Sequence, residues 1–501
     1  MKRKIITAIL AFGIITTGLV SCGDDYVPQE PPYSIGSDNY FNSEEEYHKA
    51  LIGAYDILQS TYVNVILGEI ASDNTVSGGE RATDVIGWQQ VDEMTHTPVN
   101  EEIRKIWNWM FAGVNRASYI LEFKDKTDFE GKAQIIAEAR FLRAYYHFEL
   151  VKWFGGIPLK GDARFQLGDE LVIPRSTPEE VYESIENDLL LAIEDLSPSA
   201  PQTGRATKGA AQALLGKVYL YQEKFNLAGP MLENVINSPL YALTKNSNTD
   251  PATKYSNLFE EIGENGPESV FEIQYTDVEG AGFECLQCSE GNVAVGFSGP
   301  RSYDGPLFSS GFSFNLPTEE AAEIYQPGDQ RRAVTILDMQ EWGAQTSATY
   351  DPYYKDTGYF NRKYIPRKRS SGAQGDLNLT NPNNYRAIRL ADVMLMAAEA
   401  YSYSDASKAR LYLNMVIERA YGNTSHNITV ESGPELTNII LEERRKELLG
   451  EGHRFFDLVR TGQAAAKIPG FTANKNELFP IPIEEIQFSN NNWKQNPNYI
   501  N

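Results

Sequence analysis

Apolar positions recur at helical spacing through most of this chain. Tyr47, Ala50, Leu51, Ala54, Tyr55 and Leu58 share one face, and Ser43, three residues before Glu46, supplies a capping-box start for their helix. Ile103, Ile106, Trp107, Met110, Val114 and Ile120 predict a helix over 101–122. Ile135, Ala139, Leu142, Tyr146, Leu150 and Trp153 predict another over 131–153. Gly155-Gly156-Ile157-Pro158 then stops the helix and begins an extended segment.

The pattern also repeats. Leu214–Ile236 aligns without a gap on Leu395–Ile417, pairing Leu214 with Leu395, Leu220 with Tyr401, Ala228 with Ala409, Leu232 with Leu413, and Val235-Ile236 with Val416-Ile417. Each copy predicts helix, short turn, helix, with small residues at the turn end letting two antiparallel helices pack closely, a tetratricopeptide-like device. Any two amphipathic hairpins can align this well, and no 34-residue tandem period accompanies them.

Between the copies, residues 238–386 are rich in Gly, Ser, Asn, Pro and aromatics. Strand-like pieces such as Ser269–Tyr275 appear, and helical spacing fades outside Thr318–Tyr325. So long a stretch does not fit a compact domain as structureless loop, so a loop-rich subdomain is expected. The fold class is therefore mainly α: a tetratricopeptide-like hairpin scaffold carrying a loop-rich insertion with short strands. The scaffold comprises 41–237 and 387–501, the insertion 238–386, and 41–501 forms one unit.

The N-terminus has a different character. Lys2, Arg3 and Lys4 precede an apolar run from Ile5 to Val20, the pattern of an export signal over residues 1–21. Leu19-Val20-Ser21-Cys22-Gly23 resembles a bacterial lipobox, in which Cys22 is lipidated and becomes the first mature residue; the alternative is an ordinary secretory cleavage site. Residues 22–40, with Pro28, Pro31 and Pro32, predict an extended tether. More than one acyl chain, each CH₂ contributing about 0.8 kcal/mol, holds such a protein durably on a lipid surface.

Charge narrows the partners. The chain carries 45 Lys+Arg against 68 Asp+Glu, a net −23. No basic stripe offsets this surplus, which argues against nucleic acid; the cluster from Arg362 to Arg369 is expected to be a solvated loop. Apart from Cys22, the cysteines are Cys285 and Cys288, for which an oxidising exterior predicts a local disulfide. The five histidines show no metal-ligand spacing, so no metal and no cofactor is expected.

Several motifs together carry a family resemblance. Tyr40-Phe41-Asn42-Ser43-Glu44-Glu45 with Gly53-Ala54-Tyr55-Asp56, Ala137–Tyr146 running to Trp153-Phe154-Gly155-Gly156-Ile157-Pro158, Glu442–Leu448, Gly452–Arg460 and Leu478-Phe479-Pro480-Ile481-Pro482 resemble the SusD/RagB family in order and over nearly the whole chain. The resemblance implies a non-enzymatic lipoprotein of Bacteroidota that captures a glycan or other nutrient and sits as a lid on a SusC-like TonB-dependent outer-membrane transporter, facing outward. Gly23-Asp24-Asp25 is a short version of that family's surface-export signal.

The charged C-terminal motif (Arg444, Arg445, Glu447, His453, Arg454, Asp457, Arg460) could pass for an active site. Spacings of three and four let Glu and Arg pair along one helical face, so the expectation is a scaffold motif. Ligand contacts are expected instead in the loop Gly68–Thr97, from Asp73, Asn74, Trp88 and Gln89, and in the Gly-rich part of the insertion, from Arg301 and Tyr303. Sugars stack their C–H faces on aromatic rings and need amide, carboxylate or guanidinium partners for their hydroxyls. The resemblance favours Trp88; the alternative is an indole tucked against the helices. Phe283, Phe297, Asp304, Phe308, Phe312 and Phe314 accompany the insertion set, Phe312 and Phe314 being candidates for the core.

Two other functions compete with glycan capture for a transporter. A surface glycoside hydrolase needs two carboxylates flanking a cleft, for which Glu69 and Asp73 are the early pair. A helical-repeat module would instead dock other proteins.

Overall fold

The computed structural model describes residues 40–280 and 282–500. The signal, Cys22 and most of the tether lie outside the described residues. The first half of the scaffold consists of α1 (Glu44–Asp56), α2 (Tyr62–Ile70), α3 (Ile86–Asp92), α4 (Glu101–Glu122), α5 (Lys132–Phe154), α6 (Pro178–Asp195), α7 (Lys208–Tyr221) and α8 (Phe225–Ile236). The second half adds α9 (Leu390–Ser402), α10 (Ala406–Tyr421), α11 (Gly433–Leu448) and α12 (Arg454–Arg460). Helices α4 to α8 pack each on the next, α8 packs on α9, and α9 on α10 and α11. The helical array thus continues directly from α8 to α9, although the insertion separates them in sequence.

Both predicted repeats are helical hairpins, α7–α8 and α9–α10, and they are neighbours. The small residues that allow this lie within the helices as well as near the turns. A Cβ on Gly216 would stand 2.5 Å from Leu232, and one on Gly229 would stand 2.8 Å from the Tyr401 ring. Glycine therefore sets the spacing of α7 to α8 and of α8 to α9. At the start of α1 the Ser43 hydroxyl accepts the Glu46 N–H at 3.4 Å, but the Glu46 carboxylate accepts from Asn42 rather than from Ser43 itself.

The insertion is tied to the scaffold by short antiparallel pairs. Strand β2 (Ser269–Ile273) pairs with β6 (Tyr385–Arg389), so its two ends meet. Strand β1 (Thr75–Ser77) pairs with β3 (Asn315–Pro317), and β4 (Ile336–Asp338) with β5 (Tyr359–Asn361). Val270, Phe271 and Ile273 join the main core, whereas Tyr303, Phe308, Leu337 and Phe360 belong to a smaller core of the insertion.

The charged C-terminal motif is buried and mainly links different elements. Arg444 on α11 reaches Asp392 on α9 at 2.8 Å and Asp457 on α12 at 3.0 Å. Glu447 receives Arg389 at 2.6 Å and Arg419 as well; Glu451 receives Lys363 and Arg389, each at 2.7 Å. Arg460 binds Glu399. Pairs three residues apart, Glu443–Lys446 and Asp457–Arg460, are the minority here. The expected same-face pairing is thus largely replaced by pairing across helices, because Glu443, Arg444, Arg445 and Glu447 lie on the buried part of α11 and must find partners on the elements packed against it.

The segment expected as a ligand-bearing loop, 68–97, is the end of α2 followed by β1 and α3. Trp88 is 2 % exposed, its ring meeting Phe297 and Phe314 edge-on at 4.6 and 4.9 Å. Both faces are covered, which overturns its assignment as a sugar platform. Replacing Trp88 by Ala is expected to destabilise the protein by about 3–5 kcal/mol in a denaturant titration, the cost of a large core cavity. An unchanged midpoint would refute the packing role.

Burial also sets the response to acid. His96 is pushed down to about 4 and His147 and His453 to about 3, in each case chiefly by loss of water, while burial pushes Glu69 and Glu264 up to about 7. Between pH 7 and about 4.5 the unfolded chain gains protons on the three histidines, which lowers stability; the folded chain gains them on the two glutamates, which raises it. These trends oppose each other, so the melting temperature should stay nearly level. Below that window stability should fall steeply, because Asp392, Glu447, Glu451 and Asp457 are held below the ordinary carboxylate range by arginine and lysine partners that outweigh their burial. Glu69→Gln removes one counterweight and should lose more stability from pH 7 to 5 than the wild type; equal losses in thermal melts would contradict this.

Candidate functional site

Four of the six expected ligand contacts lie in packed positions, three of them hydrogen-bonded. The Gln89 amide donates to Gly78 O at 2.6 Å and to the Ser77 hydroxyl at 3.2 Å, fastening α3 to β1. Asn74 is fully buried, its Oδ1 accepting from Arg445 Nε at 2.8 Å. Asp73 takes both arms of Arg454 at 2.8 and 2.9 Å; burial alone would raise its carboxyl, but Arg454 and Arg445 hold it below the ordinary range. Asp73 and Asn74 therefore anchor the β1 segment to α11 and α12. With Trp88 in the core, none of these residues exposes a group to a ligand: Asn74 Nδ2, Trp88 Nε1 and Gln89 Oε1 have no hydrogen-bond partner but are buried, which corrects the sequence assignment.

Tyr303 is corrected in the same way. It is 9 % exposed, and its hydroxyl donates to Pro306 O at 2.7 Å while accepting from Trp342 Nε1 at 2.8 Å. The ring closes the Gly-rich loop from inside. The carboxylate pair considered for hydrolysis is also occupied: Glu69 is buried with Oε1 accepting the Gly452 N–H at 2.6 Å, and Asp73 is held by arginine. Neither faces an open cleft. Among the described residues, no group of three or more His, Cys, Asp or Glu is placed to hold a metal ion.

Arg301 occupies a different setting. Its Nη2 lies 2.9 Å from Asp84 Oδ2, and its guanidinium sits 5.6 Å from the ring centres of Phe312 and Phe314 and 5.7 Å from Tyr353. Tyr353 is 44 % exposed, and Phe283, 58 % exposed, meets Phe312 edge-on at 5.6 Å. Four separate segments thus converge on one patch, where the exposed rings of Tyr353 and Phe283 flank the largely buried Arg301–Asp84 pair.

Local backbone features hold them there. Asp84 Oδ2 accepts the Glu80 N–H at 2.9 Å, folding 80–84 into a tight loop, and Val85 beyond it has φ +41°. A β-branched residue there is strained by roughly 1–3 kcal/mol, tolerated where surrounding packing imposes it. The Asp351 N–H donates to Arg301 O at 3.0 Å, and Asp304 and Thr349 exchange backbone bonds, which stitch the Tyr353 segment to the Arg301 loop. Phe283 opens a short turn, Phe283–Cys288, closed by the Cys285–Cys288 disulfide.

Sequence reasoning named Arg301, with Phe283 and Phe312 in the same set, but did not name Asp84 or Tyr353, which the structure places beside Arg301. Asp84 lay inside the loop already singled out, overshadowed by Trp88. Asp351-Pro352-Tyr353-Tyr354 carried a usable signal, an aromatic pair directly after a turn-forming Asp-Pro.

Comparisons with known proteins agree with the fold. Residues 25–220 match the family described as "Starch-binding associating with outer membrane", and residues 317–499 match the SusD family. A laminarin-binding SusD-like protein of known structure is 33% identical, with a TM-score of 0.80 over 92% of this chain and 100% of its own. Surface glycan-binding protein A from Bacteroides thetaiotaomicron, solved in complex with laminarihexaose, is 26% identical, with a TM-score of 0.79 over 90% of this chain and 99% of its own. SusD-like protein P2 from Formosa agariphila is 26% identical over the full length of both chains. With its helical hairpins, its terminal motif and these full-length likenesses, the chain belongs to the SusD/RagB family.

Proposed function

We propose that this protein is an outer-membrane surface lipoprotein, anchored through Cys22, that binds a neutral glycan and delivers it to a SusC-like TonB-dependent transporter. The observation that carries the binding reading is the patch of Arg301, Asp84, Tyr353, Phe283 and Phe312. Tyr353 and Phe283 offer exposed rings for the C–H faces of sugars, and Arg301 and Asp84 offer donors and acceptors for hydroxyls. Because Arg301 and Asp84 already neutralise one another, the patch favours an uncharged chain over a uronic acid. Laminarin, named for one relative and represented by laminarihexaose in another, is the first ligand to try.

An open platform of this kind suits modest affinity for single chains. Micromolar binding corresponds to about −8 kcal/mol, and engagement with a transporter would raise the effective hold on a polysaccharide. The binding reading also stands better than hydrolysis because Glu69 and Asp73, the early carboxylates considered for acid and base, are engaged by backbone and arginine.

Affinity electrophoresis of the protein lacking residues 1–22 in gels containing laminarin or other neutral polysaccharides tests the binding half. Tyr353→Ala should reduce retardation by the bound glycan without lowering the melting temperature, and Arg301→Ala should reduce it too while lowering the melting temperature through loss of the Asp84 pair. Full retardation of both variants would refute the platform. Co-purification of a TonB-dependent transporter with the full-length protein tests delivery, and its loss on Cys22→Ala would tie that association to the anchor.

A further inference from the structure

A second cleft lies at the far end of the helical layers. The insertion leaves from the end of α8 and returns at the start of α9, so the α7–α8 turn at 222–224 and the α9–α10 turn at 403–405 sit at the opposite end of these hairpins. There Phe225 and Tyr403 lie face to face, with ring centres 3.9 Å apart and planes 6° from parallel. Tyr403 is nonetheless 57 % exposed, an unusual degree for an aromatic ring in a helical turn. A cleft of about 810 Å³ opens beside it, bounded by the first turns of α11 and by residues 459–463.

The walls mix apolar side chains, Leu220, Leu441 and Val459, with uncharged polar ones. Thr437, Asn438, Thr461 and Gln463 line the cleft, Asn438 exposed and Gln463 half-buried. The charge of Arg460 at its base is already taken by Glu399 and Asp457. This leaves the exposed carboxylate of Glu223 as an acceptor at the rim, with no unpaired cation to attract a phosphate or an acidic peptide. A flat aromatic face, apolar walls interleaved with amides and hydroxyls, and a volume within the usual range of ligand pockets match the C–H faces and hydroxyls of a neutral oligosaccharide.

We infer that this cleft is a second glycan-binding site, with Tyr403 as the stacking face and Asn438, Gln463 and Glu223 as hydroxyl partners. It is separate from the Arg301 platform and does not depend on it. Two sites at opposite ends let one protein hold a polysaccharide at two points, or hold one chain while another is passed on, and linked engagement raises retention without tighter contacts at either.

The test is calorimetric titration of the full-length protein in detergent with laminarihexaose and with a panel of neutral malto-, cello-, xylo- and manno-oligosaccharides. Wild type is compared with Tyr353→Ala, Tyr403→Ala, Asn438→Ala and the Tyr353→Ala/Tyr403→Ala pair. The expected result is two sites in the wild type, one surviving in Tyr353→Ala, the other in Tyr403→Ala, and none in the pair. Asn438→Ala, which alters an exposed side chain and so spares folding, should weaken the same site as Tyr403→Ala. Binding that Tyr403→Ala and Asn438→Ala leave untouched would overturn the inference, as would failure of every sugar to bind Tyr353→Ala. Binding lost only in Tyr403→Ala would uphold this cleft and remove the Arg301 platform instead.

Discussion

The buried charge lattice around α11 is the constraint on which the rest of the structure depends. Arg444, Arg445, Glu443 and Glu447 leave one helix in several directions and meet partners on α9, α10, α12, the insertion and the β1 segment. Removing a single member would strand its partner in a dry interior at a cost of about 3–5 kcal/mol, so the lattice admits little variation in how these elements meet. Its stabilising value relative to an apolar core is modest; its geometric demand is large. Arg445 and Arg454 fix Asp73 and Asn74, which lead into β1, and β1 pairs with β3.

That connection carries the scaffold's rigidity out to the loops around Arg301. The β1–β3 pair brings the segment ahead of Asp84 beside the segment after Phe312 and Phe314. Trp88 locks α3 against Phe297 and Phe314 from below, and Tyr303 closes the insertion loop through Pro306 and Trp342. Residues that looked like ligand contacts thus do the supporting work, one layer beneath the surface where Arg301, Tyr353 and Phe283 stand. The physical distinction is simple: a flat aromatic serves a sugar only if a face is left uncovered.

The continuous helical array explains how so large an insertion is accommodated. Because α8 packs directly on α9, the chain can leave and re-enter at one end of the stack without breaking it, and the β2–β6 pair closes the loop at its base. The insertion adds a small core of its own and contributes β2 to the main one, so it is joined to the scaffold by packing as well as by the chain. The opposite end of the same hairpins remains free of it, where the Phe225–Tyr403 stack stands.

Much of the architecture was legible in the amino-acid order. Helical periodicity located α1, α4 and α5; the self-alignment of Leu214–Ile236 with Leu395–Ile417 located both hairpins; and the resemblance carried by the terminal motif led to the family. These signals are local, since spacing along a helix and glycine at a turn are written in neighbouring residues. What only the tertiary structure decided was which side chains remain uncovered. Trp88 and Tyr353 are both aromatic residues near turns, and nothing in their immediate sequence says that Phe297 and Phe314, more than two hundred positions away, will enclose the one and leave the other exposed. Burial is a property of the packed whole, so the chain specified its helices residue by residue, but which aromatic faces stay open was decided only when distant segments met.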